Sequence, residues 1–294
     1  MHSALFYGSG VALVTPFSKG KVDLATYEKL IDWQIESETD AIISLGTTGE
    51  PSTLTRSERA ELVECAVNVV AGRVPLIVGA GANDTRTAVS YAVEAQNLGA
   101  DGLLIVTPYY NKANRRGLIE HFFAIADRVE IPILVYNVPS RTGMNLDPSV
   151  AAELLKHPVI RGVKEASGDL RQMTRLAQLA QGAALYSGND DQVYPLLALG
   201  ARGVISVVAN ILPAQVHNLV SSYLRGDHEL SREAQFSLLE ISDALFSEVS
   251  PIPVKAALAK MGKIENELRL PLAPLDPARE ERLCAVLKKW ELLA

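Results

Sequence analysis

The stretch Val159-Ile-Arg-Gly-Val-Lys-Glu-Ala-Ser-Gly-Asp169 decides how the rest of the chain is read. Val159, Ile160 and Val163 form a short apolar run that reads as a buried strand, and Ser167, Gly168 and Asp169 read as a turn that caps the next helix. Lys164 therefore falls at the C-terminal end of a strand, the end that carries the active site in a parallel α/β barrel. Burial disfavours the ammonium form, so a lysine in such a strand is costly. Two readings stand side by side. The lysine snorkels or pairs with a carboxylate, or it is a desolvated, partly neutral amine that attacks a carbonyl.

Working outward, strand-like runs recur at Val11–Phe17, Ala41–Leu45, Pro75–Gly79, Gly102–Thr107, Ile133–Asn137, Ile160–Lys164, Ala184–Gly188 and Gly203–Val208. Most are continuously apolar, as suits strands covered on both faces. Helical patterns alternate with them: Asp23–Glu38, a capping box at Thr55 and Glu58 opening a helix to Val70, Thr85–Leu98, Arg116–Val129, Asp147–Leu155, Asp169–Ala180 and Asp191–Leu199. Leu98-Gly-Ala-Asp-Gly102 and Leu199-Gly-Ala-Arg-Gly203 are matching joints, each a C-cap glycine before a new strand. The pattern predicts an α/β fold, a (β/α)8 TIM barrel with a C-terminal helical extension. Residues 1–211 are expected to form the barrel core through its eighth strand. Residues 212–294 are expected to form the closing helix and the extension, with helices over Gln215–Leu224, Leu230–Phe246, Pro253–Met261 and Pro277–Leu293. A doubly wound open sheet is the runner-up, but no Gly-x-Gly-x-x-Gly follows any strand.

The chain has 294 residues, 48% of them hydrophobic, enough for a large core. A net charge of −6 and scattered basic residues argue against nucleic acid or an anionic membrane as partner. Cys65 and Cys284 lie in helical patterns, which argues for a reducing compartment and offers neither a disulfide framework nor metal-ligand spacing. No run reaches membrane-span length, and the first ten residues lack the pattern of a signal peptide. A soluble, cytoplasmic protein is expected.

The strand ends are the polar places in the sequence. Gly46-Thr-Thr-Gly49 offers backbone amides and hydroxyls to a carboxylate or phosphate, or is a plain turn. Tyr136, one strand before Lys164, is a phenolic acid/base or a core tyrosine, and Tyr109 and Tyr110 leave the same choice open. Arg141 is a fork for a second carboxylate or a solvated charge. Glu165 faces away from Lys164 and reads as structural. Lys255 and Lys260 read as solvated or at a subunit contact, and His2, His121, His157, His217 and His228 as non-ligating. Together the residues describe a metal-free, lysine-dependent aldolase or lyase acting on small carboxylates. An unperturbed lysine is less than about 0.1% neutral at pH 7, so this chemistry requires a depressed pKa.

At these residues the chain resembles the dihydrodipicolinate synthase family of pyruvate-dependent class I aldolases. The likeness runs through Gly46-Thr-Thr-Gly-Glu50, Thr107-Pro-Tyr-Tyr-Asn111, Tyr136-Asn-Val-Pro-Ser-Arg-Thr-Gly143, Gly162-Val-Lys-Glu165, Ser187-Gly-Asn-Asp190, Gly203-Val-Ile-Ser-Val207 and Pro251-Ile-Pro-Val-Lys255. The resemblance implies condensation of pyruvate with L-aspartate 4-semialdehyde in lysine and diaminopimelate biosynthesis, with no cofactor beyond a covalent imine on Lys164. It implies Tyr136 as proton donor and acceptor, Thr48 connecting it to a Tyr110 reaching in from a neighbouring subunit, and a homotetramer built as a dimer of dimers. Thr47 and Thr48 would bind the pyruvate carboxylate, with Ile205 and Gly188 beside it, and Arg141 the carboxylate of the semialdehyde. A lysine-effector cleft would match Pro51, Ser52, Arg56, Arg59, Asn83, Thr87 and Tyr109. Thr87 stands where inhibited members carry an acidic residue, and with Arg56 and Arg59 added, weak or absent lysine inhibition is expected. The alternatives are a sibling aldolase (N-acetylneuraminate lyase or a 2-keto-3-deoxy sugar acid aldolase) and, more remotely, a non-catalytic ligand-binding barrel.

Overall fold

The computed structural model describes residues 4–180 and 182–293, so His2 lies outside the described residues. Eight parallel strands close into a barrel, each paired with its sequence neighbours and the last with the first. They are β1 (Gly8–Ala12), β2 (Ala41–Ser44), β3 (Leu76–Gly79), β4 (Gly102–Val106), β5 (Ile133–Asn137), β6 (Ile160–Glu165), β7 (Ala184–Ser187) and β8 (Gly203–Ser206). Surrounding them in order are α1 (Leu24–Glu36), α2 (Arg56–Val70), α3 (Thr85–Leu98), α4 (Arg115–Ala126), α5 (Pro148–Leu154), α6 (Leu170–Leu179), α7 (Val193–Ala198) and α8 (Pro213–Leu224). The C-terminal helices that follow are α9 (His228–Ser237), α10 (Leu239–Leu245), α11 (Ile252–Lys260) and α12 (Pro277–Lys289). The expected TIM barrel with a helical extension is what the chain forms.

The strands are apolar along both faces because both are covered. Outward residues such as Val11, Ile42, Leu103, Val135 and Val163 join the helices in one core. Inward residues, among them Ile43, Ile77, Leu104, Leu134, Tyr186 and Ile205, fill the barrel. The N-terminal segment plugs the bottom: Phe6 stacks on Tyr186 with ring centroids 4.4 Å apart, and the Tyr186 hydroxyl donates to Phe6 O at 2.8 Å. Such a stack adds about 1 kcal/mol beyond the area it buries.

Helix starts follow the caps in the sequence. Thr55 and Glu58 form the expected capping box, and Asp23, Asp84, Asn114, Asp147 and Asp169 each accept from an amide of the first turn. Loss of one such cap typically costs about 1 kcal/mol. Gly99 and Gly200 end their helices at φ 103° and 94°, confirming the two matching joints.

Several element boundaries differ from expectation, three of them with a reason in the packing. The first strand covers Gly8–Ala12 rather than Val11–Phe17, because Phe6 occupies the interior and the strand beside it must be thin. A Cβ on Gly10 would lie 2.6 Å from Ile43 Cδ1 and 2.9 Å from Phe6 Cζ. The helix expected over Leu230–Phe246 is two, α9 and α10, broken at Leu238. Gln235 holds α9 in place, donating to Asp190 O and accepting from Tyr194 N, both at 2.9 Å. The pattern over Asp191–Leu199 opens with a 3-10 turn, Asp190–Gln192, before α7.

Candidate active site

Strand register gathers the site. Tyr136 on β5 pairs with Lys164 on β6, and Lys164 with Tyr186 on β7. Side chains at paired positions share a face, so Lys164 and Tyr136 both point into the barrel. Lys164 is 5% exposed, and its Nζ lies 4.3 Å from the centroid of the Tyr136 ring. Gly188 makes room for it, since a Cβ there would stand 3.0 Å from Lys164 Cε and 2.6 Å from Ala166 Cβ. Glu165 takes the other face and is buried, accepting from Asn137 Nδ2 at 3.1 Å and Ser167 N at 2.7 Å. It faces away from Lys164, as expected.

Burial pushes Lys164 down to about 7, the Asp190 carboxylate pulls it back up, and the Arg141 guanidinium lowers it further. Roughly half of the amine is then neutral at pH 7. Tyr136 is pushed up by burial, against Arg141 and a hydrogen bond with the Thr47 side chain. Of the two threonines, it is Thr47 whose side chain acts on the phenol. The reason is the turn, in which Gly49 and Glu50 amides donate to the carbonyls of Gly46 and Thr47 at 2.9 and 3.2 Å. This 3-10 turn, Thr47–Gly49, sends successive side chains in different directions, and Thr48 is the buried one.

Asp190 carried no role in the sequence reading, yet it is the buried carboxylate acting on Lys164. It accepts from Ser206 Oγ and from the amides of Val207 and Val208 at 2.9 and 3.2 Å. Its signal was an acidic residue directly after a buried strand end. Ile205 is buried on β8 beside this group. Arg141 sits on a short helical turn, Pro139–Thr142, and donates from Nη2 to Ser250 O at 2.9 Å.

A cavity of about 560 Å³ opens at the mouth and includes Thr47, Val138 and Arg141. Pro51, Ser52, Arg59, Asn83, Thr87 and Tyr109 line the same cavity, so the two residue sets are continuous within one chain. Arg56 is outside it, paired with Glu94 at 3.1 Å. Arg59 is buried, donating to Gly79 O at 2.9 Å and lying 4.1 Å from the Tyr91 ring centroid. Asp84, which the sequence reading left out of this set, also borders the cavity and accepts from the Thr87 amide and hydroxyl at 2.9 and 2.7 Å. Tyr110 does not join the cluster. It is 89% exposed, with a left-handed φ of 72°.

Lys255 requires a correction. It is fully buried, and its Nζ donates to Glu50 Oε1 at 2.7 Å and Thr15 O at 2.9 Å. The signal was its setting among Ile252, Val254, Ala256, Ala257 and Leu258, a helix apolar on every side. Lys260 is partly exposed and pairs with Glu280 at 2.8 Å. Among the described residues no group of three or more His, Cys, Asp or Glu is placed to hold a metal, and no helix is long and apolar enough to cross a membrane.

Fold and site define a parallel barrel with a desolvated lysine packed against a phenol at its mouth. The family model of the dihydrodipicolinate synthetase family matches residues 5–290. The 4-hydroxy-tetrahydrodipicolinate synthase of Alkaliphilus oremlandii is 48% identical over 98% of this chain and 100% of its own length. Among solved structures, dihydrodipicolinate synthase from Thermotoga maritima superposes with a TM-score of 0.97 at 45% identity, covering 99% of this chain and 100% of that one. The chloride-inhibited synthase from Acinetobacter baumannii, complexed with pyruvate, gives 0.96 at 42% identity over 98% and 99%. The chain belongs to the dihydrodipicolinate synthetase family.

Proposed function

We propose that this chain is a lyase of the 4-hydroxy-tetrahydrodipicolinate synthase type, condensing pyruvate with L-aspartate 4-semialdehyde through an imine on Lys164. The observation that carries the reading is a buried amine, depressed to about 7, packed against a phenol at the mouth of the barrel. Neutral Lys164 attacks the C2 carbonyl of pyruvate, and loss of water leaves the imine. The imine withdraws electrons, so the methyl group gives up a proton and the resulting enamine attacks the aldehyde carbon. The semialdehyde's own amine then displaces Lys164, closing the ring and freeing the lysine. No cofactor is needed for any of these steps.

Tyr136 moves the protons, with Thr47 as its partner, and Tyr110 completes the relay from a neighbouring subunit. Thr47 and Thr48 receive the pyruvate carboxylate, with Ile205 and Gly188 shaping its seat, and Arg141 receives the carboxylate of the semialdehyde. The exposure of Tyr110 supports a site completed in an oligomer, read here as a homotetramer. Arg141 at the cavity wall, together with the relatives' names, favours the synthase over N-acetylneuraminate lyase or a sugar-acid aldolase. A desolvated Lys164 disfavours the non-catalytic barrel.

The test is pyruvate-dependent turnover with aspartate semialdehyde, beside borohydride trapping of pyruvate. Lys164→Ala should abolish both. Trapping on Lys164 without turnover would move the chain to a sibling aldolase, and neither signal would sink the imine mechanism. Weak or absent lysine inhibition is retained as an expectation, resting on Thr87. Asp84 and Glu50 are the carboxylates at the cavity, but Asp84 caps α3 and Glu50 is paired with Lys255, while Arg59 keeps a cation in the cavity wall. A micromolar inhibition constant for lysine would contradict it.

A further inference from the structure

Lys255 and Glu50 form a buried ion pair, 0% and 1% exposed, joining the extension to the turn that follows β2. A pair of this kind adds little net stability, because desolvation of both charges offsets their attraction, whereas a single partner left behind is strongly unfavourable. What such a pair does supply is one fixed geometry. Lys255 Nζ has three neighbours: Glu50 Oε1, Thr15 O, and the Phe17 ring at 4.2 Å from its centroid. Thr15 in turn donates from Oγ1 to Gly49 O at 2.7 Å, and Arg269 N donates to the other Glu50 oxygen at 3.3 Å. The turn Thr47–Gly49 is therefore held at its last residue by Thr15 and just beyond it by Glu50, and both holders meet at one ammonium. Five residues before Lys255, Ser250 O receives Arg141. Lys255 in α11 thus ties down the threonine turn and Ser250, just ahead of α11, holds the arginine, and Thr47, Glu50, Arg141 and Ser250 all line one cavity.

We infer that Lys255 is a positioning residue: through Glu50 and Thr15 it fixes the Thr47–Thr48 turn against Lys164 and, with Ser250, sets the separation of the two carboxylate receptors. This rests on the pyruvate reading above. The extension then does more than cover the barrel, since it sets the length of substrate that spans Thr47 and Arg141. Nothing in the inference requires Lys255 to touch substrate or to change charge during the reaction.

The test removes both charges together, as Lys255→Met with Glu50→Gln, so that no lone charge is left buried. The readout is the pyruvate concentration that half-saturates borohydride trapping on Lys164. It should rise by about tenfold or more, the order expected when a positioning contact is lost, while trapping at saturating pyruvate still reaches completion. Lys260→Met, which removes a cation from the same helix away from the turn, should leave half-saturation unchanged. Half-saturation in the double variant within twofold of the parent would overturn the inference, as would an equal rise in Lys260→Met. If the double variant does not fold, Thr15→Val takes its place: it deletes the Oγ1 bond to Gly49 at nearly constant shape and should raise half-saturation several-fold, an unchanged value again overturning the role. A parent that traps no pyruvate would sink the pyruvate reading alone. The positioning role would then be read in a crystal structure of the double variant, where loss of the hydrogen bond from Thr15 Oγ1 to Gly49 O supports it and its retention overturns it.

Discussion

Lys164 shows how far one side chain's behaviour depends on what folds around it. An unperturbed lysine is almost wholly cationic at neutral pH, and here burial, opposed by Asp190 and aided by Arg141, brings the amine to about 7. The rate of pyruvate trapping should therefore rise with pH through about 7 and level off above it. Asp190 is the group that favours the charged form, so Asp190→Asn should move that midpoint to lower pH. A midpoint that stays put or rises in this variant would remove Asp190 from the account. The variant keeps a shape able to bond Ser206 Oγ, so the two effects of Asp190, on charge and on the β8 end, are separable in the same experiment.

At the scale of elements, a His–Asp contact joins the closing helix α8 to the bottom of the barrel, beside its buried Val216, Leu219 and Val220. His217 Nδ1 lies 2.9 Å from Asp40 Oδ2, which also accepts from Ser9 N at 2.7 Å, so a residue ahead of β2 links β1 to α8. The hydrogen bond to Asp40 holds the His217 pKa above its ordinary value, with Glu38 adding to this and burial and Arg225 opposing. A raised folded pKa means the contact stabilises fully below the unfolded value of about 6.5 and is lost as pH rises through the folded one. His217→Gln should cost at most about 1 kcal/mol in urea unfolding near pH 6, and the gap should close toward pH 9. A gap that widens with pH would show that some other contact holds α8.

For the whole molecule, the proposed relay can be completed by a chain's own Tyr110 or by a partner's. Tyr110 is exposed and held in a left-handed backbone conformation, a strained state for an aromatic residue that fits a side chain aimed at a partner. Tyr110→Phe should lower turnover by about 10²-fold while leaving pyruvate trapping intact. Mixing Tyr110→Phe chains with Lys164→Ala chains should restore turnover, because a mixed pair holds one site with an intact lysine and a partner's intact Tyr110. If each chain uses its own Tyr110, the mixture stays inactive.

Much of this protein was legible in one dimension. The continuous apolar runs, the caps at Thr55, Asp84 and Asp169, and the paired Gly-Ala joints report local preferences that the barrel does not override, and they place Lys164 and Tyr136 on adjacent strand ends. Such signals are local because capping and periodic burial act over a few residues. Only tertiary structure decided which threonine acts on Tyr136, that the Asp190 carboxylate acts on Lys164, and that Lys255 is buried on Glu50. Those pairings join residues far apart in the chain, Glu50 to Lys255 and Lys164 to Asp190. Whether a charge is solvated, paired or depressed depends on the dielectric and partners that closure of the barrel creates, and no local pattern carries that information.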